Sequence, residues 1–200
     1  MARLLLIRHG TTKLHAAERF WGKTDIPLSA AGIKEIKKLK TRLAKEKIDV
    51  CFSSTLSRAR STAEIICEGR KVKTVACPEL CECDFGDIEG LCYKDIEEKY
   101  PKIARKFADW SDITFPNGES FKQLDGRVKK FIKRLETMKP DETVAIVSHG
   151  GPLRLIICYL LGISVKHWQQ FNINRASLSI IETYPQMAFL NLLNDTSHLK

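Results

Sequence analysis

Two stretches of the chain, RLLLI at residues 3–7 and TVAIVS at 143–148, run almost continuously apolar. Strands of this kind need cover on both faces, as a central strand has in a sheet with helices above and below it. DVCFS at 49–53 and KVKTVA at 71–76 are related runs, and segments of helical period lie between them. Ile33, Ile36, Leu39 and Leu43 mark one helix, with Ser29 as its N-cap. Phe121, Leu124, Val128, Phe131, Ile132 and Leu135 mark another, opened by the capping box SFKQ at 120–123. SLSIIETY and MAFLNLL are separated only by Pro185 and Gln186, which predicts an antiparallel hairpin on the sheet edge. The expected fold is α/β: a three-layer α/β/α sandwich with a mostly parallel central sheet and an antiparallel edge.

A length of 200 residues and 44% hydrophobic content suit one domain spanning 1–200. The Pro-, Gly- and acid-containing stretch 77–119 breaks the alternation and is expected to be an inserted, cap-like segment of short helices. The opening apolar run ends at Arg8, too soon for a signal peptide or a membrane span, so a cytoplasmic chain without a membrane partner is expected. Seven cysteines fit free thiols better than a disulfide framework. Cys77, Cys81, Cys83 and Cys92 raise a Cys-based metal-binding module as the non-enzyme alternative, but their spacing lacks paired knuckles, and no metal or other cofactor is expected. The net charge of +9 admits an anionic partner. Much of the basic charge lies on helix faces such as KEIKKLKTRLAKEK, and no basic run is interleaved with aromatics, so nucleic acid is not expected.

The two most apolar strands end alike. The first delivers Arg8, His9 and Gly10, and the last delivers His149, Gly150 and Gly151. Open α/β sheets bind ligands at the carboxyl ends of their strands, so if these two are parallel neighbours the histidines meet at one spot. DVCFSS runs into TLSRARSTAEII, whose first helical turn would hold Ser54, Thr55 and Arg58. Arg8 and Arg58 could fork around one tetrahedral anion, with Gly10 letting the backbone approach it.

LIRHGTT, SSTLSRARSTAEII, PELCECDFGDIEG, PNGES and VAIVSHGG, in that order, resemble the motifs of the histidine phosphatase superfamily, in its phosphoglycerate mutase-like branch. The resemblance spans essentially the whole chain. It implies that His9 attacks phosphorus to give a phosphohistidine, that Arg8, Arg58 and His149 surround the phosphoryl oxygens, and that Glu82 is the acid for the leaving oxygen, with Asp84 the fallback. It also implies substrate-binding roles for Gly10, Thr12, Gly22 and Gly150. His15 stands where the family commonly has an asparagine on phosphate; either it substitutes as a donor or it turns outward and leaves that work to Thr12 and backbone amides.

A mutase would be expected to have a longer insertion and a basic, histidine-bearing segment after the acid, where this chain has CECDFGD. A phosphatase is the favoured reading, with a phosphoglycerate mutase or a broad-specificity sugar-phosphate phosphatase as alternatives. FPNGESFKQLDGRVKKFI and SLSIIETYPQMAFLNLLND are most similar to the α-ribazole-5′-phosphate phosphatases of the cobalamin pathway. The implied partner is a small phosphorylated metabolite, and a homodimer stays open. Of the aromatic residues in 85–119, Trp110 and Phe115 are the candidates for stacking on a flat base.

Overall fold

The computed structural model describes residues 2–14 and 19–200. Strands β1 (Ala2–Arg8), β2 (Val50–Ser53), β3 (Lys73–Ala76), β4 (Thr143–Ser148), β5 (Leu178–Thr183) and β6 (Ala188–Asp195) form one sheet in the order β3-β2-β4-β1-β5-β6. β1 and β2 both pair with β4 in parallel, and β3 pairs with β2 in parallel. β5 runs antiparallel to β1 and carries β6 as the outer hairpin arm, so the antiparallel edge expected from the sequence is present.

Alternation along β1 supplies two cores. Leu5 and Ile7 face helices α1 (Ala30–Arg42) and α2 (Ser57–Cys67), together with Ile36, Leu39, Ala59 and Ala63. Leu4 and Leu6 face the other layer, with Leu124, Val128 and Phe131 of α5 (Phe121–Leu135) and Leu155 and Ile156 of α6 (Gly150–Leu160). Both faces of β1 and β4 are thereby dry, which is why their sequences need no polar alternation. Between β3 and α5 the chain makes short helical turns and two brief helices, α3 (Tyr93–Lys99) and α4 (Pro101–Lys106), packed on the same face as α5 and α6. No helix among the described residues is long and apolar enough to cross a membrane.

The helix starts follow their local chemistry. The Ser29 side chain accepts from the Gly32 amide, and Ser120 and Gln123 form the expected reciprocal box. One expectation on α1 changes: Ile33 is 38% exposed, because the buried face is centred on Gly32, Ile36 and Leu39 instead. Gly32 lets α1 pack directly on the loop after β1, where a Cβ would lie 2.0 Å from the Thr11 carbonyl oxygen. Both Ser29 N and Ser29 Oγ donate to that oxygen, so the backbone cannot yield without losing them. Gly32→Ala is therefore expected to cost about 2 kcal/mol, a fall in melting temperature of roughly 4–8 °C. Gly126→Ala in α5 is the matching control, since nothing lies within 4 Å of a Cβ there and the helix gains about 0.5–1 kcal/mol. Thermal melts of the two variants should move in opposite directions.

Candidate active site

Because β1 and β4 are paired with Arg8 opposite Ser148, the next residue of each strand arrives at the same place. The His9 and His149 rings stand 5.0 Å apart, centroid to centroid, at 58°. His9 Nδ1 lies 2.7 Å from the Gly10 carbonyl oxygen, which can only accept, so Nδ1 carries the proton and Nε2 keeps its lone pair. Burial, then Arg8 and Arg58, hold the pKa of His9 well below the usual imidazole range. At neutral pH the ring is uncharged and nucleophilic.

His9 opens onto a cavity of about 230 Å³, lined also by Arg8, Thr12, Arg58, Glu82, Trp110, Gly150 and Gly151. Arg58 is 2% exposed and heavily bonded. Its Nη1 donates to the Thr24 carbonyl at 2.9 Å, its Nη2 to that of Gly22 at 2.6 Å, and its Nε to His149 Nδ1 at 3.2 Å. Arg8 donates from Nη1 to the Ile173 carbonyl, while its buried Nε has no hydrogen-bond partner among the described residues. Burial lowers the pKa of Arg8 to about 10, against an opposing pull from Glu82, so it stays cationic at neutral pH.

Glu82 reaches the cavity from the loop after β3. Its Oε1 accepts from the Cys83 amide at 3.0 Å and its Oε2 from the Gly151 amide, at the start of α6, at 3.2 Å. A Cβ on Gly151 would fall 2.4 Å from Glu82 Oε1, so a glycine there admits the carboxylate. The loop itself is pinned by Arg127 of α5, which donates to the carbonyls of Glu79, Cys81 and Glu82 and pairs with Glu119 at 2.8 and 2.9 Å. The fallback, Asp84, instead closes a local turn to the Gly86 amide and pairs with Lys23.

A neutral imidazole whose Nε2 keeps its lone pair, one buried and one half-buried guanidinium and a carboxylate around one small cavity form an arrangement capable of phosphoryl transfer. A sequence profile described as the histidine phosphatase superfamily (branch 1) matches residues 4–196. The chain belongs to that superfamily. This histidine phosphatase is 36% identical over 193 residues to the adenosylcobalamin/alpha-ribazole phosphatase of Salmonella typhimurium, covering 96% of each chain. It is 32% identical to phosphoserine phosphatase 1 of Hydrogenobacter thermophilus, over 100% of this chain and 95% of that one. Among solved structures, the alpha-ribazole phosphatase from Shigella flexneri superposes with a TM-score of 0.90 at 32% identity, covering 97% of this chain and 96% of that one.

The remaining expected site residues divide between the cavity lining and the protein behind it. His149 is fully buried and does not line the cavity of this histidine phosphatase. Arg58 Nε can only donate, so His149 Nδ1 accepts, and the protonated Nε2 donates to Ser54 Oγ at 2.9 Å. Both ring nitrogens of His149 are thus engaged, one by Arg58 and the other by Ser54. Gly10 and Gly22 are also behind the wall. The Gly10 amide faces Thr62 Oγ1, and its Cβ position is filled by Gly32 and Ile36; a Cβ on Gly22 would meet the Cys83 carbonyl at 1.8 Å. At both positions the absence of a Cβ is required by close chain packing. Phe115 is 1% exposed, packed among Phe85, Phe107 and Trp110, and has no face left for a base. Ser54 and Thr55 precede α2, whose N-cap is Leu56. Thr12, Gly150 and Trp110 do line the cavity. His15 lies outside the described residues. Cys77 and Cys83 are buried in the core, and among the described residues no three His, Cys, Asp or Glu side chains are grouped to hold a metal.

Sequence reasoning missed Arg154, Trp168 and Arg175, which complete the far wall. A usable signal existed for Arg175. β5 runs antiparallel to β1, with Leu178 opposite Ile7, so the loop leading into β5 must lie at the end of β1 that carries His9.

Proposed function

We propose that this phosphatase hydrolyses α-ribazole 5′-phosphate through a phosphohistidine on His9. The observation that carries the reading is the unprotonated Nε2 of His9, in a ring that lines a cavity shared with Arg8, Arg58 and Glu82. In the first step Nε2 forms a bond to phosphorus as the bond to the ribose 5′-oxygen breaks. That oxygen takes a proton from the Glu82 carboxyl group. In the second step the Glu82 carboxylate accepts a proton from water, whose oxygen displaces Nε2 and releases phosphate. Arg8 and Arg58 offset the charge on the equatorial oxygens throughout, and His149 keeps Arg58 aimed.

The rest of the cavity supports a flat, aromatic leaving group. Phe20, Trp21, Phe85, Trp110 and Trp168 all border it, and the half-buried Phe20 and Trp21 present the more accessible rings. In this reading residues 77–119 serve as the cap, since Glu82, Cys83, Phe85 and Trp110 come from that stretch. Two relatives named for alpha-ribazole phosphatase activity add weight. The arginine-rich lining and the similarity to a phosphoserine phosphatase favour a small acidic ester as the second reading. Comparing kcat/KM for α-ribazole 5′-phosphate, phosphoserine and 3-phosphoglycerate separates them. Stacking worth on the order of 1–3 kcal/mol predicts a preference of roughly tenfold to a hundredfold for the ribazole ester. Equal or better activity on either acid would overturn the substrate while leaving the phosphatase standing.

A further inference from the structure

We infer that Arg175 is a third guanidinium ligand of the transferring phosphoryl group. The inference rests on the phosphohistidine reading and adds to it a residue from the opposite side of the sheet's parallel half. Arg175 lines the cavity together with His9, Arg8 and Arg58. Its backbone is fixed. The Phe171 carbonyl accepts from Arg154 Nε at 2.7 Å, the Ile173 carbonyl accepts from Arg8, and the Asn174 amide donates to Asn194 Oδ1 at 2.6 Å. The Ala176 amide donates to the His9 carbonyl at 3.0 Å, and the Ala176 carbonyl accepts from His198 Nε2 at 2.9 Å. Ala176 holds φ at 55°, a left-handed turn that a residue other than glycine adopts only when its surroundings impose it. The segment bearing Arg175 is thus tied directly to the nucleophile's own backbone.

The side chain, by contrast, is uncommitted. Among the described residues Arg175 has no hydrogen-bond or ion-pair partner, although it is only half-exposed. The other cavity arginines are all engaged: Arg58 by two carbonyls and His149, Arg8 by Ile173, Arg154 by Phe171 and the Trp168 face, Arg19 by Gly90 and Asp95. Glu82 is the one acid among the described lining residues, and it shares the cavity with Arg8, Arg19, Arg58, Arg154 and Arg175. That imbalance places free donors and surplus positive charge where a phosphoryl dianion needs them. Arg175 also depresses the pKa of both His9 and Arg8, as a cation close to each would.

The test uses p-nitrophenyl phosphate and vanadate, so it does not depend on the physiological substrate. Arg175→Ala should lower kcat/KM on p-nitrophenyl phosphate roughly tenfold to a hundredfold and weaken vanadate binding, measured by calorimetry, by a similar factor. Arg175→Lys should recover part of both. Arg8, Arg58 and Arg175 act on His9 as nearby cations, His149 stands beside it and Glu82 shares its cavity; removing one cation should raise the His9 pKa and move the acid limb of kcat/KM to higher pH. Vanadate affinity equal to wild type in Arg175→Ala, or an acid limb that stays in place, would overturn the role of Arg175. Failure of α-ribazole 5′-phosphate to turn over, with vanadate affinity still dependent on Arg175, would overturn the substrate assignment alone.

Discussion

Replacing His9 with alanine is expected to reduce turnover at least about a thousandfold while leaving the fold intact, because no neighbouring atom can take over the attack on phosphorus. Arg8 and Arg58 are cations, and His149 has one nitrogen protonated toward Ser54 and the other occupied by Arg58. The fold should survive, since the lost side-chain bond runs only to the adjacent Gly10 carbonyl and the backbone bonds to Ser148 and Ala176 remain. Circular dichroism and a thermal melt within a few degrees of wild type would establish this. Rapid quenching in alkali with labelled substrate should capture a phosphoenzyme in the wild type and none in the variant. Residual activity above about a thousandth of wild type would remove His9 as the nucleophile.

Glu82→Gln should divide substrates by their leaving groups. An alkoxide needs a proton to depart and p-nitrophenolate does not, so the loss on an alkyl phosphate should be roughly a hundredfold or more and that on p-nitrophenyl phosphate much smaller. Glutamine cannot accept from both the Cys83 and Gly151 amides as the carboxylate does, so a modest loss common to both esters is also expected. The ratio between the two substrates is therefore the informative quantity. A ratio near one would make Glu82 a structural anchor for the start of α6. Arg58→Ala provides the contrast, because it acts on oxygens shared by all esters and should impair both alike.

Local chemistry written in the sequence was enough to set the strands, the caps and the strand-end positions of His9 and His149. The unbroken apolar runs at 3–7 and 143–148 could satisfy both their faces only between two helical layers, and Ser29 and SFKQ could satisfy their helix ends without distant help. Arg8 and His9 followed from the abrupt end of such a run. Only the tertiary structure decided which of these residues are free to act. How far a nitrogen is committed depends on the partners that reach it from other elements: Ser54 from the end of β2 and Arg58 from α2 engage His149, whereas among the described residues no hydrogen bond or ion pair engages Arg175. Periodicity has the same limit for packing. It marked Ile33 as part of the apolar face of α1, yet the approach of Gly32 to Thr11 turned Ile33 outward; and Phe115, expected to stack on a base, is enclosed by a cluster of rings gathered from separate turns. A side chain's type is fixed where it is encoded, but its remaining hydrogen-bonding capacity and exposed face are fixed by segments that meet it across the fold, and sequence separation carries no record of that meeting.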